Sequence, residues 1–315
     1  MRRGRRRGLL LGLLALVAGL AAWPEAPPGP TGAWLRAEGL TPSFETVAGS
    51  RLGYVRTGSG PALVLLHGFA SSIYTWKDVI PALARTHDVV ALDLPGFGAS
   101  DQPPGLSWED LPRSVFGLMD RLGIPRASLV GNSLGGAVAV MLAVDRPDRV
   151  ERLALVDSAG YNLDPADRPL LLRLVGSPVN GVVRALPVRR LLVRLALRQV
   201  FHDDRLVTPE RVEEYLAPMA RPGALAALRS LTASQGVGAA DFARRIGDVA
   251  APTLIVWGRE DRWIPLEQGR RFEAAIRGSR LVVIDECGHM PQEERPEPFL
   301  EAVSPFLAGD RASAR

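Results

Sequence analysis

Ala127-Ser128-Leu129-Val130-Gly131-Asn132-Ser133-Leu134-Gly135-Gly136-Ala137-Val138-Ala139-Val140 is a short apolar run that passes through one serine into a helix-forming run. It reads as strand, sharp turn, helix. The pattern Gly131-x-Ser133-x-Gly135 suits a turn in which the serine caps a strand and its hydroxyl projects above a sheet. Small residues are needed two positions either side, because side chains there would collide as strand and helix close on each other. The helix beginning beyond Ser133 also turns backbone N–H groups toward any anion that develops at the serine.

Outward from this turn the chain shows further buried strands. Ala62 to Leu66 runs into His67-Gly68-Phe69, and Asp88 to Leu92 runs into Asp93-Leu94-Pro95-Gly96-Phe97-Gly98. Val150 to Val156, Thr253 to Trp257 and Arg280 to Ile284 are of the same kind. Continuous apolar strands belong inside a parallel sheet covered on both faces. Helical periodicity over Trp76 to Ala84, Trp108 to Leu122 and Pro296 to Leu307 supplies the covering layers, so the fold class is α/β, a doubly wound, mostly parallel sheet. Ahead of it, Phe44 to Val47 and Arg51 to Thr57 flank Ala48-Gly49-Ser50 as a hairpin, with folding expected to begin near Ser43. Between Gly160 and Gly247 the strand pattern stops. Leucine, arginine and alanine dominate over Leu170 to Val175, Val188 to Val200 and Pro209 to Met219, and prolines cut the region into short helices. This is an inserted helical region.

A serine nucleophile needs a base, and the chain has four histidines. His289, in Cys287-Gly288-His289-Met290-Pro291, follows the last strand and reaches over the sheet edge toward Ser133. His87 precedes a strand and is expected at the surface, His202 lies in the helical region beside an acidic pair, and His67 ties down its loop. The orienting carboxylate should follow a strand and precede the histidine. Asp261, in Trp257-Gly258-Arg259-Glu260-Asp261-Arg262, meets this, and Asp157 after Val156 is the rival. Donors for a tetrahedral oxyanion come from the Phe69 N–H and the Leu134 N–H. Nothing in this set calls for a cofactor or a metal.

With these pieces in place the chain resembles the α/β-hydrolase family over about Ser43 to Leu307. The resemblance is to its capped serine members, which carry a His-Gly-Phe loop, an Asp-Leu-Pro-Gly-Phe-Gly-x-Ser loop (Asp93 to Ser100), the serine elbow, an aspartate loop and a Gly-His-x-Pro loop. It implies a triad of Ser133, Asp261 and His289 and a lid near residues 161 to 246. The family's dehalogenases and epoxide hydrolases use an aspartate nucleophile, which Ser133 argues against. The Gly-Asn-Ser-x-Gly-Gly elbow is shared with hydrolases that cleave carbon–carbon bonds of ring-fission (meta-cleavage) products, but these usually have tryptophan after the catalytic histidine, where this chain has Met290. The expected activity is carboxylic-ester hydrolysis of small to medium apolar substrates. Carbon–carbon hydrolysis is the alternative, and a ligand-binding protein of this fold with little turnover is the alternative from another class.

The 315 residues, 47% of them apolar, suffice for a large core with an insertion. Net charge is +4, but Arg2, Arg3, Arg5, Arg6 and Arg7 supply five positive charges, which leaves the remaining residues at −1. Nucleic-acid binding therefore has no global electrostatic support. The lone cysteine, Cys287, forbids an internal disulfide. After the arginines, Gly8 to Ala22 is uncharged and apolar and ends at Trp23-Pro24. This is the pattern of a signal peptide, with a small-x-small cleavage site after Ala21, or of an uncleaved anchor somewhat shorter than the roughly 20 residues of a membrane span. Arg6-Arg7-Gly8-Leu9-Leu10 also faintly fits a twin-arginine signal. Either way the rest of the chain is expected to be exported, to the periplasmic side of the inner membrane or beyond. The resulting division is 1–23 signal or anchor, 24–42 Pro/Gly-rich linker, 43–160 first part of the α/β core, 161–246 helical cap, 247–309 second part of the core and 310–315 tail. On the cap, Arg190, Arg194 and Arg198 form a stripe opposite Leu191, Leu192 and Leu195.

Overall fold

The structure is a computed structural model and describes residues 31–161, 189–234 and 239–309. The signal or anchor segment, the Leu170 to Val175 helix and the 310–315 tail lie outside the described residues.

Eight strands form one sheet: β1 (Ser43–Val47), β2 (Ser50–Gly58), β3 (Ala62–Leu66), β4 (Asp88–Leu92), β5 (Ala127–Asn132), β6 (Val150–Val156), β7 (Thr253–Gly258) and β8 (Arg280–Ile284). Their order across the sheet is β1-β2-β4-β3-β5-β6-β7-β8. β2 runs antiparallel to β1 and β4, and the pairs from β4 through β8 are parallel. The longer helices are α1 (Asp110–Arg121), α2 (Leu134–Asp145), α3 (Arg189–Val200), α4 (Pro209–Met219), α5 (Ala224–Ser234), α6 (Leu266–Ala275) and α7 (Pro296–Ala308). α1 and α2 cover one face of the sheet, in a core with Leu66, Leu129 and Leu155, while Trp76, Phe299 and Val303 pack with Leu65, Val130 and Val256 on the other. Burial on both faces is why these strands are continuous apolar runs rather than alternating ones.

The hairpin is a two-residue turn. Ala48 and Gly49 both have positive φ, 49° and 84°, the conformation whose twist matches that of the flanking strands.

Several expectations needed correction. Trp76 to Ala84 is not one helix but a 3-10 turn, Ile73–Trp76, and a single helical turn, Ile80–Leu83, entered through Pro81. The ordered fold starts before Ser43, since Ala33–Ala37 is helical and Trp34 sits edge-on to Tyr74 at 6.1 Å. His87 is buried rather than at the surface, because the glycine turn after β2 lies directly over it: a Cβ on Gly58 or Gly60 would overlap the Thr86–His87 backbone. On α3 the sequence leaves open which apolar stripe is buried. Val193, Leu197 and Val200 are buried, in a cluster with Tyr74, Tyr215 and Met290, whereas Leu191 and Leu195 are 53% and 40% exposed.

Candidate active site

The strand ends β3, β5, β6 and β7 deliver their following loops to one edge of the sheet, and the site is built there. Ser133 stands between β5 and α2 at φ 53°, ψ −115°. A non-glycine residue in that region is strained. The strain is held by backbone bonds on both sides: Ser133 N–H donates to Val156 O at 2.9 Å, and Ser133 O accepts from Gly136 N, Ala137 N and Ala159 N. Through Ala127–Val140 every residue except Ser133 is buried, so the turn exposes one side chain. The flanking glycines are required by contact. A Cβ on Gly131 would overlap the Gly135 backbone, and one on Gly135 would overlap the Leu66 carbonyl.

The loop after β3 lies against this turn. A Cβ on Gly68 would stand 3.2 Å from Ser133 Cβ, which brings the Phe69 backbone beside the serine. Neither the Phe69 N–H nor the Leu134 N–H donates a hydrogen bond to any described residue. Both N–H groups face no acceptor among the described residues. His67 has the structural part expected of it. Its Nδ1 bonds Gly68 O at 2.8 Å and its Nε2 accepts from Leu94 N–H at 3.0 Å, which defines the Nδ1–H tautomer. Full burial pushes its pKa down to about 4, leaving it neutral and the two loops tied together. The next loop is organised by Asp93, whose carboxylate accepts from Ile73 N–H at 2.8 Å and Ala99 N–H at 2.7 Å. Burial raises its pKa to about 6 against those two bonds.

Asp261 and His289 meet. Asp261 Oδ2 is 2.7 Å from His289 Nδ1, with both side chains buried. Asp261 Oδ1 is fixed by the N–H groups of Trp263 and Ile264 at 2.7 and 3.0 Å, so the carboxylate cannot rotate away. His289 is held from three sides. Its N–H donates to Val200 O at the end of α3 at 2.8 Å, its carbonyl accepts from Asn132 Nδ2 at 3.1 Å, and the Trp263 ring stacks on its imidazole at 5.9 Å. Asn132 is the residue before the serine, so its amide ties the histidine loop to the elbow. Ser133 Oγ itself makes no hydrogen bond to a described residue. Such contacts commonly close only when substrate is bound. His202 is exposed and contributes only its backbone N–H, to Glu294.

Asn132 and Trp263 were not singled out from the sequence. The asparagine in Gly131-Asn132-Ser133 was the one available signal, as a polar residue ending an otherwise apolar strand. Asp157, the rival carboxylate, proves to be a neighbour of the other two: one ligand-type atom each of Asp157, Asp261 and His289 lie within 4.8 Å of one another. This trio does not suit a metal ion. Two ligands at ~2.0–2.1 Å on a tetrahedral zinc stand about 3.3 Å apart, whereas the 2.7 Å between His289 and Asp261 is the span of a shared proton.

Residues 61–296 match the model of the family described as alpha/beta hydrolase fold. The chain belongs to the α/β hydrolase fold family. It is a hydrolase, as several of its relatives are named. The 2-hydroxy-6-oxo-2,4-heptadienoate hydrolase of Pseudomonas putida is 33% identical over 262 residues, 80% of this chain and 91% of that one. Among solved structures, the meta-cleavage product hydrolase CumD from Pseudomonas fluorescens superposes with a TM-score of 0.74 at 29% identity, covering 85% of this chain and 97% of its own. A bacterial membrane phospholipase A superposes with a TM-score of 0.73 at 27% identity, over 99% of this chain and 100% of that one.

Proposed function

We propose that this α/β hydrolase is a serine hydrolase of carboxylic esters, with Ser133 as nucleophile, His289 as base, Asp261 as the group that orients it, and the Phe69 and Leu134 N–H groups as the oxyanion hole. The observation that carries the reading is the 2.7 Å Asp261–His289 bond on a loop tied by Asn132 to a strained serine turn. His289 takes the Ser133 Oγ proton as that oxygen attacks the ester carbonyl, and the oxyanion is received by the two N–H groups. The imidazolium then gives its proton to the departing alcohol. Water, deprotonated by His289, releases the acyl group, and Asp261 keeps the imidazole in the Nδ1–H tautomer throughout.

One observation favours an ester over a dienoate. The buried arginine of α4, Arg211, is paired with Glu293 at 3.2 Å and so has no charge left over for a substrate carboxylate. The likeness to a membrane phospholipase A over the whole chain supports an acyl ester as the substrate class. Carbon–carbon hydrolysis is the second reading, favoured by the named relatives and the Gly131–Gly136 elbow. The helices from α3 to Arg245 act as a cap over this site, and residues 1–23 direct the catalytic domain out of the cytoplasm as a cleaved signal or an anchor.

A fluorophosphonate probe tests the assignment. Stoichiometric labelling of the wild type that is lost in Ser133→Ala is expected, and well-folded enzyme that does not label would sink it. A panel of acyl-chain esters run beside a ring-fission dienoate separates the two bond types. A membrane-impermeant version of the probe applied to spheroplasts should label the protein from outside if it is exported.

A further inference from the structure

Asp157 has no part in the proposed reaction, yet it is completely buried next to the groups that do. It follows β6 at φ 42°, a conformation that costs a non-glycine residue energy and that carries its carboxyl back over the sheet edge toward the loop after β7. There Oδ1 accepts from Gly258 N–H at 3.0 Å, while Oδ2 is buried and receives no donor from any described group. What lies near it is a second carboxylate, Asp261, and the imidazole that Asp261 holds.

Two buried carboxylates cannot both be ionised at this separation without a cation between them. Asp261 is the one committed to charge. Its Oδ1 takes two backbone N–H groups and its Oδ2 takes His289 Nδ1–H, which leaves Oδ2 a lone pair to accept one more bond. Asp157 is the complementary member, with one oxygen on an N–H donor and the other without one.

From this arrangement we infer that Asp157 is a neutral carboxylic acid whose Oδ2–H donates to Asp261, making it a positioning residue that fixes the carboxylate behind His289. Burial, followed by the negative charge of Asp261, raises the Asp157 pKa well above the usual carboxylate range, in keeping with that state. The proton of Asp157 is independent of the serine-hydrolase reading, but its kinetic consequence rests on that reading. By accepting this bond Asp261 spreads part of its charge away from the imidazole.

Asparagine is the isostere of the protonated acid. In Asp157→Asn, Oδ1 still accepts from Gly258 N–H and Nδ2 still donates to Asp261. Infrared difference spectra of wild type against Asp157→Asn at neutral pH, which need no substrate, should show the carbonyl stretch of a protonated carboxylic acid that the variant lacks. A difference spectrum with only ionised-carboxylate bands overturns the inference even if the enzyme is a serine hydrolase. The acid limb of the fluorophosphonate acylation rate provides the second readout. In Asp157→Asn it should stay within about 0.3 pH unit of wild type, since no charge has been removed. In Asp157→Leu it should move upward, with kcat on an ester down about tenfold and KM little changed. An acid limb that drops by about a unit in Asp157→Asn would mean that a negative charge was lost, and would overturn the assignment. Failure of the wild type to react with the probe would count against the serine reading alone, with the infrared result still deciding the proton.

Discussion

Helices α2 and α3 are each twelve residues long, but nine residues of α2 are buried against three of α3. α2 is built from glycine, alanine and valine and is wedged between the sheet and its neighbours, so that its first turn fits only without side chains at Gly135 and Gly136, where a Cβ would overlap the Leu66 carbonyl and the Ser158 side chain. α3 is rich in arginine and leucine. It touches the rest of the molecule through one stripe and leaves Leu191 and Leu195 in solvent. The region that carries the serine is thus located by close backbone contact, while the region of α3 and α4 is located by side chains. Arg211, Tyr215 and Thr75 converge on the buried Glu293, and Arg221 reaches the carbonyls of Gly98 and Ser100. Close backbone packing leaves no room for adjustment, whereas a side-chain network leaves some.

The sharpest way to break this contrast is Gly135→Ala. A methyl there has nowhere to go, and we expect loss of soluble protein or a stability loss above about 4 kcal/mol by urea unfolding. Arg194→Ala on the exposed face of α3 should stay within about 0.5 kcal/mol of wild type. A Gly135→Ala variant as stable as the α3 variant would refute the contrast.

A second, smaller effect concerns the network. Arg211→Met leaves Glu293 buried with only the Thr75 and Tyr215 hydroxyls as partners, and should cost about 3 kcal/mol. Adding Glu293→Gln in the Arg211→Met background removes the stranded charge and should recover a large share of that loss. Urea midpoints of the two single variants and the double variant measure the coupling. Strictly additive losses would show that the pair does not hold α4 to the histidine loop.

The third prediction separates two groups inside the rigid region by pH. Asp93 keeps its proton in the folded chain up to about pH 6, while the unfolded chain releases it near 3.8, so its contribution to stability grows as pH falls from 6 toward 4. His67 acts the other way. The unfolded chain takes a proton near 6.5 and the folded chain resists until about 4, so stability is present above 6.5 and lost as pH falls through that window. Each amounts to about 3 kcal/mol, and in the wild type they largely offset each other. Asp93→Asn, whatever its effect at pH 7, should show stability falling more steeply than wild type between pH 6.5 and 4. Parallel curves would mean that Asp93 is not held protonated.

The positions that local pattern leaves open share a cause. Val188 to Val200 contains two apolar stripes, Leu191–Leu195 and Val193–Leu197–Val200, each at helical spacing. Periodicity identifies the helix but not which stripe is buried, and that was settled by Met290, Tyr74 and α4 lying opposite the second. His87 precedes a strand and is polar, the ordinary description of a surface residue, until the turn after β2 folds over it. The division of work between Asp157 and Asp261 had the same character, since both follow buried strands and precede His289.

What the sequence determined by itself was whatever depends on neighbours in the chain. The elbow is local because glycine spacing and a serine between strand and helix formers leave few other conformations. The hairpin and the buried strands of the sheet are local for similar reasons, and chain order was enough to nominate Asp261 and His289. Tertiary structure decided what depends on pairs far apart in sequence: Asn132 on the His289 carbonyl, Trp263 on the imidazole, Arg211 against Glu293, and Asp157 beside Asp261. Burial changes the chemistry of such pairs. A carboxylate in a solvated loop is an ordinary charge, but two brought together away from water must share a proton or a cation, and no local pattern in the chain encodes that meeting.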